Sequence, residues 1–298
     1  MHCWSSAHYV IALPAGHRFP IAKYALLRDA VLAEGVVAPA ALHDPSRAPR
    51  EDVERVHDPA YIARLLQGTM PAAEQRTLGF PWSEGLVERS FRAAGGTLEA
   101  AEHALRAGIA MNLAGGTHHA FRTHGEGFCV LNDVAVAVAA LRARGVARRI
   151  AVVDLDVHQG NGTHALFAGD DDCFTFSMHG RRNYPFRKVA GRLDVELEDG
   201  TADTEYLERL AAALPGVLAE ARPDLVFYLA GADPFEGDTL GRLKLSFDGL
   251  MRRDALVLEA CRAVGVPVAI AIAGGYAADV RDTVRIHVNT ARVARSFL

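Results

Sequence analysis

The chain has 298 residues, half of them hydrophobic and 23% charged, enough to bury a large core unaided, and one large domain over residues 1–298 is expected. A net charge of −4, with Lys and Arg dispersed along the chain, gives no footprint for nucleic acid. Four cysteines without C-x-x-C spacing (Cys3, Cys129, Cys173 and Cys261), no secretory pattern and no apolar run of roughly 18 residues point to reduced thiols in a cytoplasmic protein with no membrane partner.

Taken in chain order, the first strong periodicity predicts a helix from Glu84 to Arg106. A short apolar stretch around Ile109 to Met111 follows, and then a helix from Asp133 to Arg144 with Asn132 or Asp133 as its N-cap. Three β-rich and nearly all-apolar runs come next: Ile150 to Leu155, Leu225 to Ala230, and Val266 to Ile272. Helices are predicted between and after them, from Thr204 to Ala221 and from Asp248 to Val264. Uniformly apolar strands alternating with helices predict an open parallel α/β sheet, buried on both faces in three αβα layers. In such a sheet ligands bind beyond the carboxyl ends of the strands, so the residues that end each run are the ones to inspect.

The first run ends in Asp154-Leu155-Asp156-Val157-His158, the second in Gly231-Ala232-Asp233, and the third in Gly274-Gly275-Tyr276; Gly115-Gly116-Thr117-His118-His119 follows the stretch at 109–111. Asp156 and His158, two apart, share a face of extended backbone and can bind one ion, with Asp233 from a neighbouring strand as third ligand. Two carboxylates and an imidazole leave a coordination position open, as a catalytic zinc requires. Singly, Asp156 reads as a helix cap, Asp233 as a turn residue, and Tyr276 as a packed strand-end tyrosine. His118 and His119, adjacent and preceded by two glycines, offer a proton acceptor and a companion imidazole, and Asp154 is placed to orient one of them. The shared position of all these groups at strand ends argues for a site where no single one does.

Assembled, these residues resemble the histone deacetylase family. The matching pieces are Gly115-Gly116-Thr117-His118-His119-Ala120, Gly127-Phe128-Cys129-Val130-Leu131-Asn132-Asp133, Asp154-Leu155-Asp156-Val157-His158, Gly231-Ala232-Asp233 and Gly274-Gly275-Tyr276. Weaker similarity covers Gly16 to Pro20 with Lys23-Tyr24, and Val56 to Tyr61. The resemblance implies an arginase/deacetylase-like fold and a zinc-dependent hydrolase that removes acyl groups from lysine in proteins or peptides, or from acylated polyamines. It implies zinc on Asp156, His158 and Asp233, His119 as general base, His118 as its companion on Asp154, and Tyr276 as the oxyanion phenol. Gly127, Phe128, Gly274 and Gly275 would lie against substrate, with Tyr184 or Phe186 as the opposite wall. A potassium ion beside the zinc would use Asp154, Asp156, His158 and Ser177.

The segment His158-Gln159-Gly160-Asn161-Gly162 departs from many members, which carry an Asp where this chain has Asn161, and in this form it looks like the class IV branch. A neutral amide orients the base but stabilises its protonated form less, so Asn161→Asp is expected to raise the kinetic pKa of the base. An arginase-like enzyme with two manganese ions would need an Asp two residues after the metal histidine, where Gly160 stands. A silent acyl-lysine binder would have lost a ligand, the base or the tyrosine, and none is lost. Glu84, Glu126 and Glu236 are candidate gatekeepers for a polyamine, each otherwise read as a solvated surface charge.

Overall fold

The computed structural model describes residues 1–298. Eight strands, β1 (His2–Trp4), β2 (Leu42–His43), β3 (Ile109–Asn112), β4 (Ile150–Asp154), β5 (Cys173–Gly180), β6 (Leu193–Leu197), β7 (Leu225–Leu229) and β8 (Val268–Ala271), form one sheet in the order β2-β1-β3-β8-β7-β4-β5-β6. Every neighbouring pair is parallel. Ten helices complete the chain: α1 (Ala22–Ala33), α2 (Arg50–Glu54), α3 (Pro59–Gln67), α4 (Ala72–Leu78), α5 (Glu84–Ala107), α6 (Asp133–Ala143), α7 (Asn161–Leu166), α8 (Asp203–Ala221), α9 (Phe247–Ala263) and α10 (Val280–Arg295).

The two-residue period of a strand divides the core into two faces. Ala151 and Val153 of β4 join Val226 and Tyr228 of β7 under Leu214 of α8, Val257 of α9 and Ile286 of α10. Ile150 and Val152 join Leu225 and Phe227 under Leu98 of α5 and Leu141 of α6. Burial on both faces explains why these strands are apolar throughout. A third apolar cluster, which includes Tyr61, Leu78, Phe80 and Val130, packs the short helices α3 and α4 beside the carboxyl end of the sheet.

The four predicted helices are present, with α6 capped by Asn132, whose side chain accepts the Ala135 N–H at 3.0 Å. All four cysteines are free and buried, and no helix is long and apolar enough to cross a membrane.

Candidate active site

The β4 strand stops at Asp154, one residue before the predicted end, and the chain turns before α7 begins at Asn161. Asp156 and His158 therefore meet through a loop and not through the face of a strand. The turn is held by Asp156 itself: its Oδ1 accepts the His158 backbone N–H at 2.9 Å and lies 2.9 Å from His158 Nδ1. Asp233, in the loop after β7, accepts the Val157 N–H through Oδ1 at 2.8 Å and sets Oδ2 3.2 Å from the same His158 nitrogen. Asp156 is thus not a helix cap, and Asp233, although it does stand in a turn, is fully buried there. Ligand atoms of Asp156, His158 and Asp233 all lie within 4.8 Å of one another, and all three residues are buried.

The segment after β3 brings in the histidine pair. Asp133, at the first turn of α6, accepts the Gly116 and Thr117 N–H groups at 3.0 and 2.7 Å and fixes this segment. His118 Nδ1 then lies 2.6 Å from Asp154 Oδ2, and His119 Nδ1 lies 2.7 Å from Asn161 Oδ1. Glycine is required at two contacts. A Cβ on Gly127 would sit 2.7 Å from the His119 ring, and one on Gly274 would sit 2.0 Å from Asp233 Oδ2. Lacking it, Gly274 instead donates its N–H to Asp156 Oδ2 at 2.7 Å.

His118, His119, Asp156, His158 and Gly274 line a cavity of about 310 Å³, walled also by Phe128, Tyr184 and Tyr276. Phe128 holds a left-handed backbone, φ 66°, costly for an aromatic residue and typical of a functional turn. Its ring packs at a tilt among Phe19, Phe80 and Tyr276, with centroids 5.3 to 6.1 Å away. Tyr184 stands edge-on to His119 at 4.9 Å, whereas Phe186 is 87% exposed and does not line the cavity. Gly275 does not line it either; a Cβ there would point at Thr283 and Ala232, 2.6 and 2.9 Å away. Ser177 is buried opposite Asp154 in the β4–β5 register, its Oγ 3.0 Å from His179 Nδ1. Glu84 and Glu236 are exposed and lie off the cavity.

Burial and neighbouring charge drive the two histidines apart. Burial disfavours the charged form of His118, but the Asp154 and Asp156 carboxylates outweigh it and lift the ring to about 9. His119, buried beside His118 and His158, is pushed well below the ordinary histidine value. In the metal-ligand triad, burial works against charge on all three. The two carboxylates nevertheless raise His158 to about 10, His118 and His158 hold Asp156 far below the carboxylate range, and burial together with Asp156 raises Asp233 to about 7.

Two residues that the sequence singled out only weakly, Glu126 as a candidate gatekeeper and Lys23 within the weaker similarity, stand at the site. Glu126 is not a solvated charge: its Oε1 accepts Asn161 Nδ2–H at 2.7 Å and the Tyr184 hydroxyl at 2.8 Å. Lys23 of α1, 1% exposed, lines the cavity and donates to the Ala273 carbonyl at 3.2 Å.

A model of the histone deacetylase domain matches residues 17–291. An uncharacterized protein of Picosynechococcus sp. is 47% identical over 287 residues, 96% of each chain. Histone deacetylase 2 of Arabidopsis thaliana is 33% identical over 272 residues, 87% of this chain and 70% of the plant protein. Among solved structures, that of an HDAC homolog complexed with SAHA superposes with a TM-score of 0.87 at 26% identity, covering 99% of this chain and 83% of that one.

Proposed function

The chain belongs to the histone deacetylase family, a family of deacetylase-type hydrolases, and on that premise we propose that it is a zinc-dependent amidohydrolase that removes acetyl or longer acyl groups from the ε-amine of lysine in proteins or peptides. The observation that carries this reading is the buried triad of Asp156, His158 and Asp233, of which Asp156 and His158 line the cavity that also holds His119.

The donors fit the metal. Asp233 Oδ2 is fully buried and makes no well-aligned hydrogen bond, its near polar neighbour being the His158 Nδ1 at 3.2 Å, a costly state that a bound cation relieves. Two carboxylate oxygens and one imidazole nitrogen suit zinc and leave a position for substrate. Asp156, His158 and Asp233 are the one such cluster of His, Cys, Asp or Glu side chains, which supports a single catalytic metal rather than the two manganese ions of an arginase-like enzyme. Zinc bound there would polarise the amide carbonyl and lower the pKa of water. Asp154, Asp156 and Ser177 offer side-chain oxygens on neighbouring segments for a potassium ion, which prefers oxygen donors.

The protein groups divide the remaining work. With its Nδ1–H donated to Asn161, His119 presents Nε2 as a proton acceptor, and its low pKa keeps it neutral and ready to act as base. His118, held charged by Asp154, stabilises negative charge developing beside it and is suited to protonate the leaving amine. Tyr276 donates its phenol to the carbonyl oxygen. Phe128 and Tyr184 exclude water from the methylenes of the lysine between them.

The test is to load the protein with zinc and follow hydrolysis of lysine peptides bearing acetyl and longer acyl groups. Asp233→Asn should abolish turnover with loss of metal, and Tyr276→Phe should lower kcat by about 10²–10³ with metal retained. Turnover of acylpolyamines without turnover of any acyl-lysine would move the substrate to that class. Zinc binding without turnover of either would leave a silent binder.

A further inference from the structure

We propose that Glu126 is a positioning residue for the base: by accepting the Asn161 amide N–H it fixes which way that amide faces, and so which nitrogen of His119 carries the proton. The inference rests on the hydrolase reading above, in which His119 Nε2 must be free to accept.

Asn161 alone does not determine the tautomer. An amide has a donor end and an acceptor end of nearly equal size, and rotation by half a turn exchanges them. With Oδ1 facing His119, the ring holds its proton on Nδ1 and Nε2 is an acceptor. With Nδ2 facing His119, the proton moves to Nε2 and the base is blocked. An Asp in this place, as many family members have, lacks a donor end and needs no such control. Here a second side chain supplies it.

Glu126 Oε1 lies 2.7 Å from Asn161 Nδ2, while Asn161 Oδ1 lies 2.7 Å from His119 Nδ1. A carboxylate only accepts, so a rotated Asn161 would set its own oxygen against an anion. Burial raises the pKa of Glu126, but hydrogen bonds from His124, Asn161 and Tyr184 outweigh it and keep the group ionised. The residue is also held in place: the Cys129 N–H donates to the Glu126 carbonyl at 2.9 Å, and the Tyr184 hydroxyl reaches the same Oε1 at 2.8 Å. One carboxylate thereby anchors both a cavity wall and the orientation of the base. The contact also revises the expectation for Asn161→Asp: that change sets two carboxylates against each other, and the pair would retain a shared proton in place of presenting a bare anion to His119.

The experiment reads the tautomer directly, by the ring ¹⁵N shifts of His119 in the zinc-loaded protein, beside kcat. The intact protein should show a protonated Nδ1 and an unprotonated Nε2. Glu126→Leu should give a mixture of tautomers and lower kcat about 10–100-fold, the usual cost of losing a group that orients a working ligand or base. Glu126→Gln keeps the volume and one acceptor oxygen but gains a donor end, so it should fall between the parent and Glu126→Leu in both tautomer mixture and kcat. Adding Asn161→Asp to Glu126→Leu should restore both tautomer and rate, because the new carboxylate has no donor end to present. An Nε2–H tautomer in the intact protein, an unchanged tautomer in Glu126→Leu, or a double variant as slow as Glu126→Leu would each overturn the proposal. Because the ring signals need no substrate, they decide it even if the hydrolase reading fails.

Discussion

Arg253 Nη1 donates to the Gly231 carbonyl at 2.6 Å and lies 3.4 Å from that of Leu155, so one side chain of α9 bridges the two loops that carry Asp233 and Asp156. The guanidinium is fully buried against Asp254, which also accepts from Tyr228 and Thr290. Arg253→Met leaves a buried carboxylate without its cation, which typically costs about 3–5 kcal/mol. The expected result is a lower melting temperature together with zinc affinity weakened about 10–100-fold, read by metal titration against a competing chelator. Native affinity in the folded variant would show that Arg253 serves the core alone.

Asp133 supports the other half of the site. Its carboxylate accepts from Thr97 Oγ at 2.5 Å, Thr117 Oγ at 2.6 Å and two backbone N–H groups, and the histidine pair follows directly. Asp133→Asn turns an NH₂ toward some of these donors and should cost about 2–3 kcal/mol. Turnover should fall while zinc binding stays intact, since the proposed ligands lie on other loops. Equal loss of metal and turnover would contradict this division.

The parts legible in the sequence were those whose environment is uniform. The strands β4, β7 and β8 are buried on both faces and read as apolar runs, and the residues that end them are the ones found at the cavity or directly behind it. The β5 strand escaped because Thr175, Ser177 and His179 alternate with apolar residues and mimic a half-exposed strand. All three are buried, with Thr175 Oγ accepting the Arg192 N–H and Ser177 paired to His179. Glu126 escaped for another reason: its partners Asn161 and Tyr184 lie 35 and 58 residues away, and nothing local distinguishes it from a solvated acid. Phe186 shows the converse, an aromatic residue near the right place in sequence that the chain turns outward.

Metal binding should release protons. Without a cation the triad retains a proton on His158, whose pKa is raised to about 10 by Asp156 and Asp233, and on part of the Asp233 population near pH 7. Zinc must displace them, so its affinity should rise with pH across the neutral range. Calorimetric titrations in two buffers of different ionisation enthalpy should show release of roughly one proton or more at pH 7. Identical heats in the two buffers would mean that the triad is already deprotonated.

His57 should make the fold acid-sensitive. Its Nε2 accepts the Asn132 N–H at 3.0 Å, so Nδ1 carries the ring proton and donates to the Phe121 carbonyl at 2.8 Å. Both ring nitrogens are used in the neutral form, and burial lowers the pKa from 6.5 to about 4. Above pH 6.5 neither the folded nor the unfolded chain binds this proton, and its contribution to stability is fully present. Between 6.5 and 4 only the unfolded chain takes it up, and stability falls by about 1.4 kcal/mol per pH unit, about 3 kcal/mol over the whole window. His57→Gln keeps an acceptor for Asn132 but cannot titrate, so urea unfolding of metal-loaded protein at pH 7 and pH 5 should show a smaller loss in the variant than in the parent. Equal losses would place the acid sensitivity elsewhere, and His57 would then be a packing residue whose ring is already able to charge within the fold.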